Sequence, residues 1–225
     1  MAFGESSKPK TRNSKLSMAG NLIIISAPSG AGKTTIVNEV LRRVAGVRDS
    51  ISYTSRAARV GEENGRDYHF VTRAEFEAMI ARHELLEGAE VHGNLYGTSR
   101  VYVSEMLASG LDVILTIDVQ GAAITRQVFP DAVSVFILPP SYEALMERLN
   151  VRDAGQTEAL SLRLRNAETE LEQYKEYDYL IVNEELESAV QEFTAIILAA
   201  RCRRNGRAAA AETILNHFRR NLRHA

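Results

Sequence analysis

The fold is decided by residues 22–34, which read LIIISAPSGAGKT. A continuous apolar run is followed by a loop of small residues, and Lys33 and Thr34 then begin a segment with apolar residues at helical spacing. This order predicts a strand, a phosphate-binding loop and a helix. The two glycines before Lys33 allow successive backbone N–H groups to point into one concavity. The motif usually begins with glycine six positions before the lysine, and Ala27 can replace it only with a negative φ.

The same stretch has the chemistry for a polyphosphate ligand. The amino end of a helix carries partial positive charge, so it favours an anion in front of it. Lys33 is long enough to reach the β- and γ-phosphates, and the Thr34 hydroxyl can ligate Mg²⁺. The alternative is a glycine-rich turn of an α/β protein that binds no ligand.

Composition bounds the class of protein. The chain has 225 residues, of which 45% are apolar, enough for one core and a small inserted subdomain. Cys202 is the one cysteine, which excludes an intramolecular disulfide and a cysteine-rich zinc site. No apolar run approaches the roughly 18 residues that cross a bilayer. Residues 1–17 contain four bases without the apolar core that a secretory signal has, so we expect no secretory signal there and a cytoplasmic location.

Charge is unevenly distributed along the chain. Residues 1–20 carry four bases and one acid, residues 201–225 carry seven bases and one acid, and residues 21–200 carry 16 bases and 27 acids. The basic ends could contact nucleic acid or another acidic surface. We expect instead a solvated, disordered leader over residues 1–20 and an Arg-rich C-terminal helix or tail over residues 203–225.

Apolar runs alternate with segments of helical periodicity, which predicts an α/β fold with a parallel sheet covered by helices on both faces. Strands are predicted at residues 22–26, 50–54, 85–94, 112–118, 132–138 and 179–183, and helices at residues 34–45, 73–83, 99–109, 121–129, 141–150, 158–175 and 186–201. Residues 53–98 break the alternation and look like an insertion. The predicted domain therefore spans residues 21–202, with its core at 21–52 and 99–202.

Residues 52–70, SYTSRAARVGEENGRDYHF, resemble the signature of the guanylate kinase family, S-x-x-T-R-x-x-R-x-G-E-x-x-G-x-x-Y-x-F, with Ser55 in place of its threonine. Further blocks at residues 86–87, 93–98, 117–121 and 181–183 are similar to the family in the same register. The resemblance implies a P-loop kinase fold with an inserted monophosphate-binding subdomain and a mobile lid at about residues 148–163. It implies transfer of the γ-phosphoryl group of MgATP to GMP and dGMP in purine nucleotide metabolism.

The resemblance also assigns residues to the acceptor. Arg56, Arg59, Tyr68 and Tyr96 would bind the phosphate of GMP, and Glu87 would bind the base, helped by Ser52, Thr98 and Asp118. Forked arginine donors suit a phosphate. Guanine presents two donors on one edge, and a carboxylate accepts both, whereas adenine presents an acceptor there and would be repelled.

The donor side and the lid are assigned in the same way. The implied ATP-binding residues are Ala27, Pro28, Ser29, Gly30, Ala31, Gly32, Lys33, Thr34, Thr35 and Asn183, with Thr34 as the Mg²⁺ ligand. The implied catalytic residues are Lys33, Arg56, Arg148, Arg152 and Arg163, which would stabilise the charge of the transferring group. Relatives follow the second lid arginine with glycine, whereas this chain reads RDAGQ over residues 152–156, so the lid geometry and the rate stay open.

Each assignment has a structural alternative. The two signature arginines could lie in a solvated turn, and the tyrosines could be ordinary subdomain core. Glu87 could be an exposed strand residue paired with Arg82, and Asp118 could be a helix cap. Arg148, Arg152 and Arg163 could be surface residues of helices.

Two other functions stay open at this point. One is a kinase on the same scaffold with a different acceptor, such as a phosphorylated sugar or another nucleotide. The other is a binding module that kept the fold and lost the chemistry. We expect ATP and GMP as partners, no membrane or nucleic acid, and a homo-oligomer stays open.

Overall fold

The computed structural model describes residues 19–91, 93–153 and 157–223, with backbone alone at 91, 151–153 and 157–162. The strands are β1 (Leu22–Ser26), β2 (Val47–Asp49), β3 (Tyr53–Thr54), β4 (His69–Phe70), β5 (Leu85–Val91), β6 (Asn94–Ser99), β7 (Asp112–Thr116), β8 (Val133–Leu138) and β9 (Tyr179–Val182). The helices are α1 (Lys33–Arg43), α2 (Arg73–Ala81), α3 (Arg100–Ala108), α4 (Val119–Val128), α5 (Tyr142–Asp153), α6 (Thr157–Leu171), α7 (Leu186–Ala200) and α8 (Arg204–Leu222). A 3₁₀ helix, Glu172–Glu176, follows α6.

Five strands form a parallel sheet in the order β2-β7-β1-β8-β9. The central strand β1 is buried on both faces, which explains its unbroken apolar sequence. Ile23 and Ile25 pack with α1 and α7 on one face, and Leu22 and Ile24 pack with α3 and α4 on the other. The predicted α/β class is therefore confirmed. Because the strands are parallel, the loops after β1, β7 and β9 meet at one edge of the sheet.

A second sheet lies between residues 53 and 99, in the order β4-β3-β6-β5. β3 pairs with β4 in parallel, and the other two pairs are antiparallel. Phe76 of α2 packs with Leu85 and Leu95 in a core separate from that of the first sheet. A capping box between Thr72 and Glu75 fixes the start of α2.

The prediction of one strand over residues 50–54 is wrong. The chain pairs with β7 as far as Asp49, leaves the first sheet, and joins the second sheet at Tyr53. The single strand predicted over 85–94 is wrong in its end, because β5 turns back at Gly93 into the hairpin partner β6. Both errors arise at points where pairing partners change, which no local pattern reports.

The C-terminal segment forms the 19-residue helix α8. Ala210 is half-buried, and the other side chains of α8 are exposed. In the part of the chain that the structure describes, no helix combines the length and the apolar character that a membrane span requires.

Candidate active site

A cavity of about 760 Å³ opens at the carboxyl edge of the parallel sheet. Its lining comes from both sheets. The predicted residues that line it are Ala27, Pro28, Ser29, Gly30, Gly32, Lys33, Thr34, Thr35, Ser52, Tyr68, Glu87, Tyr96, Asp118, Arg148 and Asn183. The phosphate loop and the carboxylate assigned to guanine therefore face one space, as a transfer between two bound substrates requires.

The phosphate loop takes its shape from backbone conformations that suit glycine. Gly30 has φ 87° and Gly32 has φ 94°, and a Cβ on Gly32 would lie 2.2 Å from Asn183 Nδ2. Asn183 donates from Nδ2 to the carbonyl of Ala31 at 2.7 Å, so the buried Ala31 ties the loop to the end of β9. Among the described non-glycine residues a positive φ occurs at His83, so Ala27 meets its conformational requirement.

Lys33 is half-buried at the start of α1 and donates from Nζ to the carbonyl of Ile117 at 3.0 Å. Burial lowers the pKa of Lys33, while the charges of Asp118, Glu170 and Asp49 raise it. The ammonium group of Lys33 is therefore poorly solvated, and the three nearby carboxylates stabilise its positive charge. A polyphosphate entering the cavity would supply stronger compensation at the same position.

The donor set fits a magnesium ion. Thr34 is exposed to the cavity and offers a hydroxyl oxygen, and Asp118 lines the same cavity. Hard oxygen donors from a hydroxyl and from phosphates are the ligands that Mg²⁺ prefers. Asp118 also caps α4, because its Oδ1 accepts from the backbone of Gln120 at 2.8 Å and of Gly121 at 2.9 Å. Asp118 is therefore a helix cap, as the structural alternative proposed, and its two cap hydrogen bonds also fix its carboxylate in the cavity.

Glu87 is a buried carboxylate, 5% exposed, in the middle of β5. It accepts a hydrogen bond from Thr98 Oγ1 at 2.8 Å, which places the otherwise hidden Thr98 behind it. Burial raises the pKa of Glu87 to about 7, against the lowering effect of the Thr98 hydrogen bond. The alternative of an exposed pair with Arg82 is wrong, because Arg82 binds Glu84 at 2.6 Å.

Arg56 is held in place by an acid that the sequence reasoning missed. Its guanidinium binds Glu62 Oε1 at 2.9 Å and lies 5.5 Å from the ring centroid of Tyr68. The Arg56 side chain is 13% exposed, so a solvated turn does not describe it. Glu62 also accepts from the backbone N–H of Arg59 at 2.8 Å, whereas Arg59 itself is exposed. The one signal for Glu62 was its place inside the signature.

The two tyrosines assigned to the acceptor phosphate stand together. The rings of Tyr68 and Tyr96 meet edge to face with centroids 5.9 Å apart, and both residues line the cavity. They are half-buried, and burial raises the pKa of Tyr68. Their placement combines both readings, since they pack in the subdomain and also face the cavity.

The predicted lid arginines are placed unequally. Arg148 of α5 lines the cavity and donates from Nη2 to the carbonyl of Asn183 at 3.1 Å. Arg163 lies on α6 with a half-buried side chain and does not line this cavity. Arg152 lies near the end of α5, and its side chain and residues 154–156 lie outside the described part of the chain.

Glu170 is a second cavity residue that the sequence reasoning missed. It lines the cavity from α6, and burial raises its pKa against the lowering effect of the Lys33 charge. Its Oε2 is buried without a hydrogen-bond partner among the described residues. A possible signal was its position seven residues after Arg163, which places both residues on the same face of α6.

The sequence model of the Guanylate kinase family matches residues 19–200. The chain belongs to the guanylate kinase family. It is 51% identical over 183 residues to the guanylate kinase of Dechloromonas aromatica, covering 81% of this chain and 91% of that protein. It is 51% identical over 191 residues to that of Koribacter versatilis, covering 84% of this chain and 82% of that protein. The crystal structure of guanylate kinase from Anaplasma phagocytophilum superposes with a TM-score of 0.71 at 34% identity, covering 83% and 88% of the two chains.

The guanylate kinase match contains every residue that lines the cavity and ends before α8. The family recognition made from the sequence is therefore confirmed, and the protein is a nucleoside monophosphate kinase. The helix α8 lies beyond the part of the chain that defines the guanylate kinase family.

Proposed function

We propose that the chain transfers the γ-phosphoryl group of ATP to GMP, giving ADP and GDP, with the residues assigned above. The observation that carries this proposal is the buried Glu87, which faces the same cavity as the phosphate loop. We extend the proposal to dGMP as a second acceptor and to a role in purine nucleotide metabolism in the cytoplasm. The acceptor site is proposed to lie within residues 53–98 and the lid at about 148–163.

Glu87 selects the base in this proposal. The N1–H and N2–H₂ groups of guanine donate to its two carboxylate oxygens, and Ser52 and Thr98 complete the polar edge. A buried acceptor left without donors costs free energy, so a base with the wrong pattern is rejected. Gly121 makes room for this carboxylate, because a Cβ there would lie 3.1 Å from Glu87 Oε2.

The loop and Lys33 bind the phosphates of ATP through backbone N–H groups and one ammonium. Arg56, Arg59, Tyr68 and Tyr96 bind the phosphate of GMP, for which Arg56 exchanges Glu62 for the substrate. The acceptor phosphate is already anionic, so no general base is needed. Arg148, with Arg152 and Arg163 from the lid, would neutralise the charge of the transferring group.

Thr34 would hold a magnesium ion, which when bound neutralises charge on the β- and γ-phosphates. The protein residues do the remaining work of orientation. Asn183 fixes the loop through Ala31, and closure of the subdomain and the lid would exclude water and suppress hydrolysis of ATP.

The test is ADP formation from MgATP with GMP, dGMP, AMP, UMP or CMP offered separately. We expect turnover with GMP and dGMP and at most a trace with the others. Turnover with a different acceptor would keep the kinase scaffold and refute the role of Glu87. No turnover with any nucleotide would favour the binding module and direct attention to residues 152–156.

A further inference from the structure

The helix α8 carries an apolar stripe that none of the residues described by the structure covers. Ile214, Leu215, Phe218 and Leu222 lie within about 100° of arc around the helix axis. Their exposed fractions run from 41% for Leu215 to 74% for Leu222. Most helices in proteins owe their stability to packing of such a face. An exposed apolar stripe on a helix of this length therefore indicates a partner surface.

The charge of α8 restricts what that partner can be. Arg219 and Arg223 flank the stripe on one side, and across the whole helix Glu212 is the one acid. Two copies of α8 packed in parallel would bring these arginines together, which like-charge repulsion opposes. The partner surface should be apolar in the middle and acidic at its edge.

The same molecule has such a surface elsewhere. A groove of about 900 Å³ runs between α5, α6 and the edge strand β9. Its floor is apolar and includes Leu138, Leu145, Leu164 and Leu171. Tyr142 and Leu180 line it while remaining 59% and 45% exposed.

Acids dominate the edge of the groove. The groove is lined by Glu168 of α6 and Glu172 of the 3₁₀ helix. Further exposed acids on α5 and on the 3₁₀ helix are Glu143, Glu147 and Glu176. Arg165 is the base among the groove residues that the structure describes. The groove thus has the apolar floor and acidic edge that complement α8.

The two surfaces lie at opposite ends of the parallel sheet. Arg201, just before α8, binds Asp112 at the first residue of β7 at 2.6 Å. Arg203 donates to the carbonyl of Asp131, before β8 begins. The groove lies at the other end of β8, at Leu138. Since the α8 stripe is exposed, the helix does not fill the groove of its own chain.

We propose that α8 of one copy docks in the groove of a second copy, in a reciprocal dimer with two identical contacts. Phe218 and Leu222 enter the apolar floor, and Arg219 and Arg223 face Glu168 and Glu172. A two-fold arrangement repeats the contact and closes the assembly. This inference does not depend on the assignment of the catalytic residues.

The first test is sedimentation velocity of the full chain over a concentration series. Two variants break the contact from its two sides, Phe218→Glu on the helix and Leu180→Glu in the groove. Both side chains are exposed, so the fold should survive, and circular dichroism and activity with GMP check this. Each variant should raise the dimer dissociation constant at least about tenfold. Val128→Glu, an equally exposed site on α4, is the matched control and should change nothing.

The second test mixes the two variants. Each variant alone has no intact contact, but a mixed dimer pairs the normal helix of the Leu180→Glu chain with the normal groove of the Phe218→Glu chain. Partial recovery of dimer on mixing supports the exchange. Two results would overturn the proposed dimer. One is a dimer that Phe218→Glu disrupts but Leu180→Glu does not, and the other is a wild-type chain that stays monomeric at every concentration.

A third measurement separates the main rival for α8. A basic amphipathic helix can also bind an anionic lipid surface. Co-sedimentation with vesicles of phosphatidylglycerol and phosphatidylcholine should show no binding for the dimeric chain. A monomer that binds these vesicles through Phe218 would replace our proposal.

Discussion

The phosphate loop and the acceptor subdomain prepare for anions in different ways. The loop is one contiguous stretch whose backbone is already curved by Gly30 and Gly32 and tied by Asn183. The acceptor side uses side chains from separate strands, and its main cation, Arg56, is already paired with Glu62. In the proposed function the loop backbone would receive a phosphate in the conformation that it already has. In the proposed function Arg56 would exchange its pair with Glu62 for one with the acceptor phosphate, so the subdomain would be the part that responds to substrate.

Burial adds a second contrast. Lys33 and Glu87 both carry charges that burial disfavours, since the pKa of Lys33 is lowered and that of Glu87 is raised. Lys33 already has three carboxylates around it. Glu87 has the buried Thr98 hydroxyl behind it and the like charge of Asp118 opposing its ionisation, so the N–H donors of guanine would stabilise its charged form.

The largest loss of activity should come from a substitution in the phosphate loop, whose conformation is fixed before substrate binds. Lys33→Ala should lower kcat with GMP by about 10³-fold or more, because it removes a cation that is fixed before the substrate arrives. The free energy of unfolding should change little, since the lost ammonium was itself poorly solvated. Steady-state kinetics and urea unfolding check this, with the exposed Lys175→Ala as the control. A loss below about tenfold would show that the loop backbone carries the site alone.

Glu87→Gln should separate function from stability on the acceptor side. We expect kcat/KM for GMP to fall about 10²- to 10⁴-fold, because the NH₂ group of the glutamine would face an N–H donor of guanine in place of a carboxylate oxygen. The folded pKa of about 7 lies above the ordinary value of 4.5, so the cost of ionising Glu87 grows as pH rises between these values. The variant should therefore gain about 1–3 kcal/mol of unfolding free energy at pH 8 and almost none at pH 4.

The pH dependence of the native protein provides the control for that variant. Below about pH 7 Glu87 becomes protonated and loses acceptor capacity, so KM for GMP should rise as pH falls while KM for ATP stays flat. Glu90→Gln, on the same strand and exposed, should keep the native profile. A KM for GMP that is flat from pH 6 to 8 in the native protein would contradict the assigned role.

Arg56→Lys tests the exchange of ion pairs. Lysine keeps the charge but loses the forked geometry, so kcat/KM for GMP should fall about 10- to 100-fold with KM for ATP unchanged. Stability should hold, because lysine can still pair with Glu62. The same replacement at the exposed Arg66, which pairs with Glu63 and Asp67, should have no kinetic effect. Equal loss at both positions would point to a general effect on the loop.

The smallest effect is expected at Ala27. Because its φ is already one that any residue adopts, Ala27→Gly should change KM for ATP by less than about twofold and lower stability by about 0.5–1 kcal/mol. Gly32→Ala is the opposite case, since φ is 94° and the new Cβ would meet Asn183. That variant should lose binding of ATP and unfold more readily. Thermal unfolding with and without ATP distinguishes the two.

Local features of the fold were predictable from the sequence. The strand β1, the phosphate loop and α1 are contiguous in the sequence. An apolar run indicates the strand, the glycines indicate the loop, and apolar residues at helical spacing indicate the helix. The family signature assigned Arg56, and the further block at residues 86–87 assigned Glu87, by their position in a fixed register. Prediction failed at residues 50–54, where the chain changes sheets, because the pairing partners β7 and β6 are distant in sequence.

By itself the sequence determined the α/β class, the family and the identity of the charged groups, because these depend on local order along the chain. Only the tertiary structure decided which partners these charged groups have and how deeply they are buried. It showed that Arg56 is held by Glu62, that Glu170 faces the cavity, and that burial shifts the pKa of Glu87. It also revealed the bare α8 and the acidic groove at opposite ends of the sheet. Ion pairs, burial and shared surfaces arise between residues far apart in the chain, and their strength depends on how much water the fold excludes.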